Sequence, residues 1–200
     1  MVMGRLRELV NKVAPSTIGK ALARRGVKAD HITYTGLALA ALAPIVAALR
    51  EGWAVPVLVA LSSLMDVIDG AVARASGRTT PFGSYLDSVT DRASDAMFIT
   101  SIAILGANAY LSLVTLMFSF LVSYARSKGE LLGVKMEGVG LMERGERAVL
   151  LFLASIAAAA GSLLACNIIV LIIAVLSAVT VIQRSVHIKR SLEAAPKPTS

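Results

Sequence analysis

Five aspartates stand within one otherwise oily stretch: Asp66, Asp69, Asp87, Asp91 and Asp95. Asp66 and Asp69 are three residues apart, and Asp87, Asp91 and Asp95 follow at steps of four. On α-helices these spacings put each set on one face. Carboxylates gathered in a low-dielectric setting repel one another and take up protons unless a cation relieves them. An all-oxygen set with no His or Cys at ligand spacing selects Mg²⁺, Mn²⁺ or Ca²⁺ over zinc. Arg74 and Arg78 follow the first pair, and guanidinium groups suit phosphate. The chemistry in view is therefore metal-assisted handling of a phosphate. Simple pairing of the acids with Arg74, Arg78 and Arg92, or an ion path, is the plainer alternative.

The elements that must carry these acids are membrane spans. The 200 residues are 56% hydrophobic and 16% charged, with a mean hydropathy of +0.73. Soluble domains carry about 25% charged residues. A hydrocarbon core of about 30 Å needs roughly 20 apolar residues per helical span. This composition excludes a soluble enzyme, a disulfide scaffold and a long disordered chain. The single cysteine, Cys166, lies in an apolar run and reads as a small hydrophobe. Apolar stretches at 32–49, 53–73, 86–107, 109–124, 148–164 and 165–186 predict six spans. The last two are divided at Gly161-Ser162, because one continuous span would be far too long.

Charge sets the orientation. Of the 20 Lys and Arg, all but Arg50 fall on one side of these six spans. The positive-inside bias makes that side cytoplasmic, with both termini on it. If the second span enters from outside at Trp53, Asp66 lies about 20 Å deep, roughly 10 Å from the cytoplasmic edge. No apolar signal segment precedes the first span. Instead Leu6, Leu9, Val10 and Val13 alternate with Arg5, Arg7, Glu8 and Lys12 at helical spacing. Pro15 interrupts, and Ser16 is placed to cap a second short helix ending near Gly26. A basic amphipathic pair of this kind lies along a membrane surface. The net charge of +7 is a topology signal and suits anionic lipids or substrates. No soluble basic domain exists to bind nucleic acid.

From Asp66 the chain reads D-x2-D-G-x2-A-R-x8-G-x3-D-x3-D, complete at Asp66, Asp69, Gly70, Ala73, Arg74, Gly83, Asp87 and Asp91. Eight fixed residues in 26 positions form a specific signature, and it resembles that of the CDP-alcohol phosphatidyltransferase family. Members cleave the pyrophosphate of a CDP-linked lipid, join the lipid phosphate to an alcohol and release CMP. The resemblance implies an all-α polytopic membrane protein with six transmembrane helices plus an N-terminal amphipathic surface helix. Residues 1–30 would form the juxtamembrane segment, 31–190 the transmembrane phosphotransferase domain and 191–200 a flexible tail. It also implies a homodimer in the cell membrane, with the active site on the cytoplasmic side. Asp66, Asp69 and Asp87 would hold metal, two Mg²⁺ ions or Mn²⁺, and Asp91 would be a further ligand or the general base. Gly70, Ala73, Arg74, Thr80 and Gly83, with Asp30, His31, Ile32 and Thr33 before the first span, would join the aspartates in contacting the CDP-lipid.

The acceptor is read from the fourth connection. Ser123-Tyr124-Ala125-Arg126-Ser127-Lys128 and Glu143-Arg144-Gly145-Glu146-Arg147 resemble the branch that makes phosphatidylinositol phosphate or archaetidylinositol phosphate. Arg126, Lys128, Arg144, Arg147 and Arg184 would then hold the phosphate of inositol 1-phosphate. Glycerol 3-phosphate offers the same group and is the rival acceptor; the plainer reading of these cations is loop anchoring. CDP-diacylglycerol and CDP-archaeol remain equal as lipid donors. From other classes, a membrane prenyltransferase would carry its aspartate motifs on well-separated helices. A cation transporter with an acidic site would leave the arginines without a purpose. His31 and His187 are at metal spacing with nothing and read as interfacial.

Overall fold

The computed structural model describes residues 15–77 and 80–194. The amphipathic segment expected at Gly4 to Lys12, Arg78 and the end of the tail lie outside the described residues. Within them every regular element is a helix: α1 (Pro15–Arg24), α2 (Ala29–Ala48), α3 (Ala54–Ser76), α4 (Pro81–Ile104), α5 (Ala109–Leu131), α6 (Arg144–Ala159) and α7 (Leu163–Ala194). The chain divides into two compact units, one through Phe98 and one from Ile99.

In the first unit α2 and α3 pack closely along small residues. Gly36, Ala40, Ala43 and Ala47 are buried at helical spacing on α2, and Val55, Val59 and Ser62 are buried on α3. Small side chains let membrane helices approach and gain dispersion contact and polar links. Ser62 Oγ donates to the Gly36 carbonyl at 2.9 Å. On α1, a Cβ added at Gly19 would stand 2.8 Å from the carbonyl atoms of Ala71 in α3. Pro15 is the first residue of α1, where a missing N–H is no loss, so Ser16 lies within the first turn and is not its cap. Thr80 opens α4, its Oγ1 accepting from the Gly83 N–H at 3.0 Å, with Pro81 as first helical residue.

In the second unit α7 packs against both α5 and α6. Asn108 caps α5 by accepting from the Leu111 N–H at 2.9 Å, and its own N–H donates to Asn167 Oδ1 on α7. Thr115 Oγ1 lies 2.8 Å from the Leu111 carbonyl and 3.3 Å from that of Val170. The turn between α6 and α7 falls at Gly161, with φ of +74°, where the sequence placed it.

Among the described residues, four helices are long and apolar enough to cross a membrane: α2, α3, α5 and α7. This is a multi-pass membrane architecture. Helix α4 has the length but carries Asp87, Asp91, Arg92 and Asp95, and α6 has 16 residues, about 24 Å of rise. Two boundaries differ from the sequence reading for one reason. Helix α5 runs on to Leu131, so Arg126 and Lys128 sit on its last turns and not in a connection. Helix α7 runs on to Ala194, four residues into the segment read as tail. Charged residues mark the edge of the hydrocarbon, yet Arg, Lys and Glu are good helix formers and the helix continues past it.

The α1–α3 contact predicts a stability effect. Gly19→Ala forces a methyl group against helix backbone that cannot rotate away, and overpacking of this kind costs about 1–3 kcal/mol. Thermal unfolding in detergent should show a lower midpoint for Gly19→Ala, while Gly145→Ala, helical and with nothing within 4 Å, should keep or raise it.

Candidate functional site

Helix periodicity brings the first aspartates together. Asp66 and Asp69 share a face of α3, and Asp87 stands in the second turn of α4. One carboxylate oxygen from each lies within 4.8 Å of the others. Asp69 is buried and Asp66 half-buried. Three anionic groups at this spacing need a cation to stay charged together. The donor set is all oxygen, which fits a hard divalent ion. Asp91, one turn further along α4, is buried outside this three-residue group, with Oδ2 3.7 Å from Arg92 Nη1. Arg92 Nη1 also donates to the Ser88 carbonyl one turn back, so it is held against its own helix.

Around the carboxylates the structure gathers several of the residues read as CDP-lipid contacts. A Cβ at Gly83 would meet Thr80 Oγ1 at 3.1 Å and Asp30 Oδ1 at 3.7 Å, so Gly83, Thr80 and Asp30 frame one gap. A Cβ at Gly70 would meet Arg74 Nη1 at 3.2 Å, because the exposed guanidinium folds back over that glycine. Both glycines thus leave room beside polar groups. Ala73 is half-buried and His31 exposed, while the Ile32 side chain belongs to the core. Thr33 does more than line the site. Its hydroxyl donates to Asp69 Oδ2 at 2.7 Å and lies 3.2 Å from the Ala29 carbonyl.

The cations read as an acceptor site all lie in the second unit, in three settings. Arg126 is exposed and paired with Glu130 at 2.9 Å, and exposed Lys128 stands 5.8 Å from the centre of the Tyr124 ring. Arg144 is half-buried at the first residue of α6. Arg147 and Arg184 are 3% and 2% exposed. Arg184 Nε donates to the Val139 carbonyl at 2.9 Å and Nη1 to that of Val122 at 2.6 Å. Its charged neighbours are Arg126, Arg147, Glu143 and Glu130. Three cations and two acids from α5, α6 and α7 meet there, and the N-terminal end of α6, which carries Arg147 in its first turn, is itself positive. Arg184 lies about 32 Å along α7 from Leu163, at the hydrocarbon edge, where a buried guanidinium is tolerable.

The model of the family described as CDP-alcohol phosphatidyltransferase matches residues 27–182. The chain belongs to the CDP-alcohol phosphatidyltransferase family. It is 35% identical over 192 residues to the archaetidylinositol phosphate synthase of Pyrococcus horikoshii, covering 92% of this chain and 99% of that protein. Its fold is similar to the crystal structure of Mycobacterium tuberculosis phosphatidylinositol phosphate synthase with CDP-DAG bound. The TM-score is 0.75 and the identity 25%, over 88% of this chain and 93% of that one. The structure of the same mycobacterial enzyme in complex with manganese and citrate has the same TM-score and identity, over 88% of both chains.

For this CDP-alcohol phosphatidyltransferase, sequence reasoning missed how the site is braced. Thr33 was read as a substrate contact, and nothing in its spacing announced a bond to Asp69, 36 residues away. His187, read as interfacial, has Nε2 3.1 Å from the Lys135 carbonyl. Thr180, inside the last apolar stretch and not singled out by the sequence, accepts from the N–H groups of Leu141 and Met142 at 3.2 and 2.9 Å.

The Thr33–Asp69 bond restrains the rotation of a carboxylate in the three-aspartate group. Partners that orient ligands in this way change metal affinity by roughly 10–100-fold when removed. Mn²⁺ binding to the purified protein, read as loss of the free-ion paramagnetic resonance signal, should weaken about tenfold in Thr33→Val. Thr33→Ser, which keeps the hydroxyl, should bind as the parent does.

Proposed function

We propose that this enzyme transfers the phospholipid moiety of a CDP-linked lipid, CDP-diacylglycerol or CDP-archaeol, to inositol 1-phosphate and releases CMP. The observation that carries the acceptor assignment is the cation group around Arg184, in which Arg147 and Arg184 are almost wholly enclosed. An arginine-rich enclosure beside Glu130 and Glu143 suits an added anion, because guanidinium groups hold phosphate through paired hydrogen bonds. A phosphorylated alcohol supplies that anion, and free inositol does not. Similarity to an archaetidylinositol phosphate synthase supports inositol phosphate over glycerol 3-phosphate.

The roles are those the family resemblance implies, and the residue chemistry suits them. Asp66, Asp69 and Asp87 hold divalent cation, with Asp91 completing a site for two Mg²⁺ or Mn²⁺ ions. A divalent cation bound there neutralises the pyrophosphate and the charge that develops on the departing CMP phosphate. Gly70, Ala73, Gly83 and Thr80 leave space and a hydroxyl beside the nucleotide, and Arg74 and Asp30 hold its polar parts. His31 and Thr33 complete that wall, with Ile32 packed behind it in the core. Arg126, Lys128, Arg144, Arg147 and Arg184 hold the acceptor phosphate, the exposed pair by contact and the enclosed pair chiefly through their field. The acceptor hydroxyl oxygen attacks the lipid-linked phosphorus, the bond to the CMP oxygen breaks, and Asp91 takes the hydroxyl proton.

The same reading carries six spans. Helix α4 crosses with its acids facing inward, and α6 crosses as a short helix whose arginines sit at the interface. The one-sided Lys and Arg support cytoplasmic termini, aspartates near the inner face of the cell membrane and an N-terminal surface helix. The family resemblance supports a homodimer.

A CMP-release assay tests this account. With Mg²⁺ and a CDP-lipid, inositol 1-phosphate should support turnover, free inositol should not, and chelation should abolish it. Equal turnover with glycerol 3-phosphate would remove the inositol assignment. Asp91→Asn should lower the rate by about 100-fold or more, the usual reach of a general base. Full activity in that variant would overturn the role of Asp91.

A further inference from the structure

Between α5 and α6 the chain crosses residues 132–143 without regular structure, yet this connection is not loose. Val134, Met136 and Met142 are buried, the last two almost completely. Three side chains on one stripe of α7, at 180, 184 and 187, meet its backbone in order. Thr180 Oγ1 accepts from the N–H groups of Leu141 and Met142 and lies 2.7 Å from the Leu176 carbonyl. Arg184 Nε donates to the Val139 carbonyl, and His187 Nε2 lies 3.1 Å from that of Lys135. Spacings of four and three keep the three residues on one helix face. Gly140, with φ of +116°, lets the strand pass so close that an added Cβ would collide with the Thr180 methyl.

We infer that Thr180 is a positioning residue for the phosphorylated acceptor, acting through this strap; the inference rests on the acceptor site proposed above. The lever is short. Leu141 and Met142 stand immediately before Glu143 and the first turn of α6, which carries Arg144 and Arg147. Fixing two consecutive N–H groups on one hydroxyl fixes where that turn begins. The strap also fixes Arg184, because the Val139 and Val122 carbonyls hold two of its five N–H donors and set the plane of the rest. One hydroxyl on α7 therefore keeps cations from two helices in register. Thr180 itself is fully buried and need not touch substrate.

The test compares Thr180→Val, which keeps the shape and loses the hydroxyl, with Thr180→Ser, which keeps it. CMP release in the intact protein gives KM for inositol 1-phosphate and for the CDP-lipid, and amide hydrogen exchange reports on residues 134–142. Loss of the hydroxyl takes the acceptor from the buried Met142 N–H and the part-buried Leu141 N–H, enough to raise the acceptor KM roughly tenfold. The CDP-lipid KM should stay within about twofold, and exchange across 139–142 should quicken. The Ser variant should match the parent in all three. His187→Phe, at a half-buried site, should fold and show a smaller rise in acceptor KM with faster exchange near Lys135. Faster exchange with an unchanged acceptor KM would overturn the positioning role, as would unchanged exchange. A parent protein inactive with inositol 1-phosphate would instead overturn the proposed acceptor and this inference with it.

Discussion

Repulsion among Asp66, Asp69 and Asp87 is the constraint around which the first unit is organised. Three carboxylate oxygens within 4.8 Å in a membrane protein do not rest together unaided, and each acid in a span costs about 2.5–3.5 kcal/mol even on the lenient insertion scale. The surroundings are arranged to hold that charge in one geometry. Small residues let α2 and α3 approach, Ser62 links them, and Thr33 reaches from α2 to Asp69. Thr80 and Pro81 fix the start of α4, which sets the rotation at which Asp87 is presented. Glycines at 70 and 83 keep the neighbouring space open.

The second unit meets the opposite problem. Arg147 and Arg184 are cations enclosed by protein, and backbone carbonyls together with Glu130 and Glu143 moderate them. The region is rich in positive charge, with Arg126, Arg147 and Arg184 set near Glu130 and Glu143. Its geometry depends on an irregular segment held by the side chains of one helix. Rigidity there comes from hydrogen bonds to α7 and from buried methionines. Acid and base clusters are thus built by the same device, polar side chains reaching from a neighbouring helix to fix a charged group.

Much of this was legible in the sequence, and the reasons differ by element. The aspartate cluster could be read because helical periodicity converts spacings of three and four into shared faces. The turn at Gly161 could be read because one span cannot accommodate both final apolar stretches. Helix ends could not, since Arg126 and Lys128 look like a connection by charge while their backbone continues α5. Asp91 shares the face of Asp87 by spacing, yet lies outside the closest group, because rotation and depth of a helix depend on packing that spacing does not encode. The bond from Thr33 to Asp69 and the strap on Thr180, Arg184 and His187 join residues dozens of positions apart with no period. Such contacts are set by tertiary folding and leave no local signature.

The central claim is that Asp66, Asp69 and Asp87 together hold a divalent cation. Anomalous diffraction at the manganese edge, from crystals grown with Mn²⁺, addresses it directly. The account predicts a peak bonded to all three carboxylates, lost when Asp66 and Asp69 are both replaced by Asn. A peak elsewhere with none at the three aspartates, or one that survives the double replacement, would contradict it.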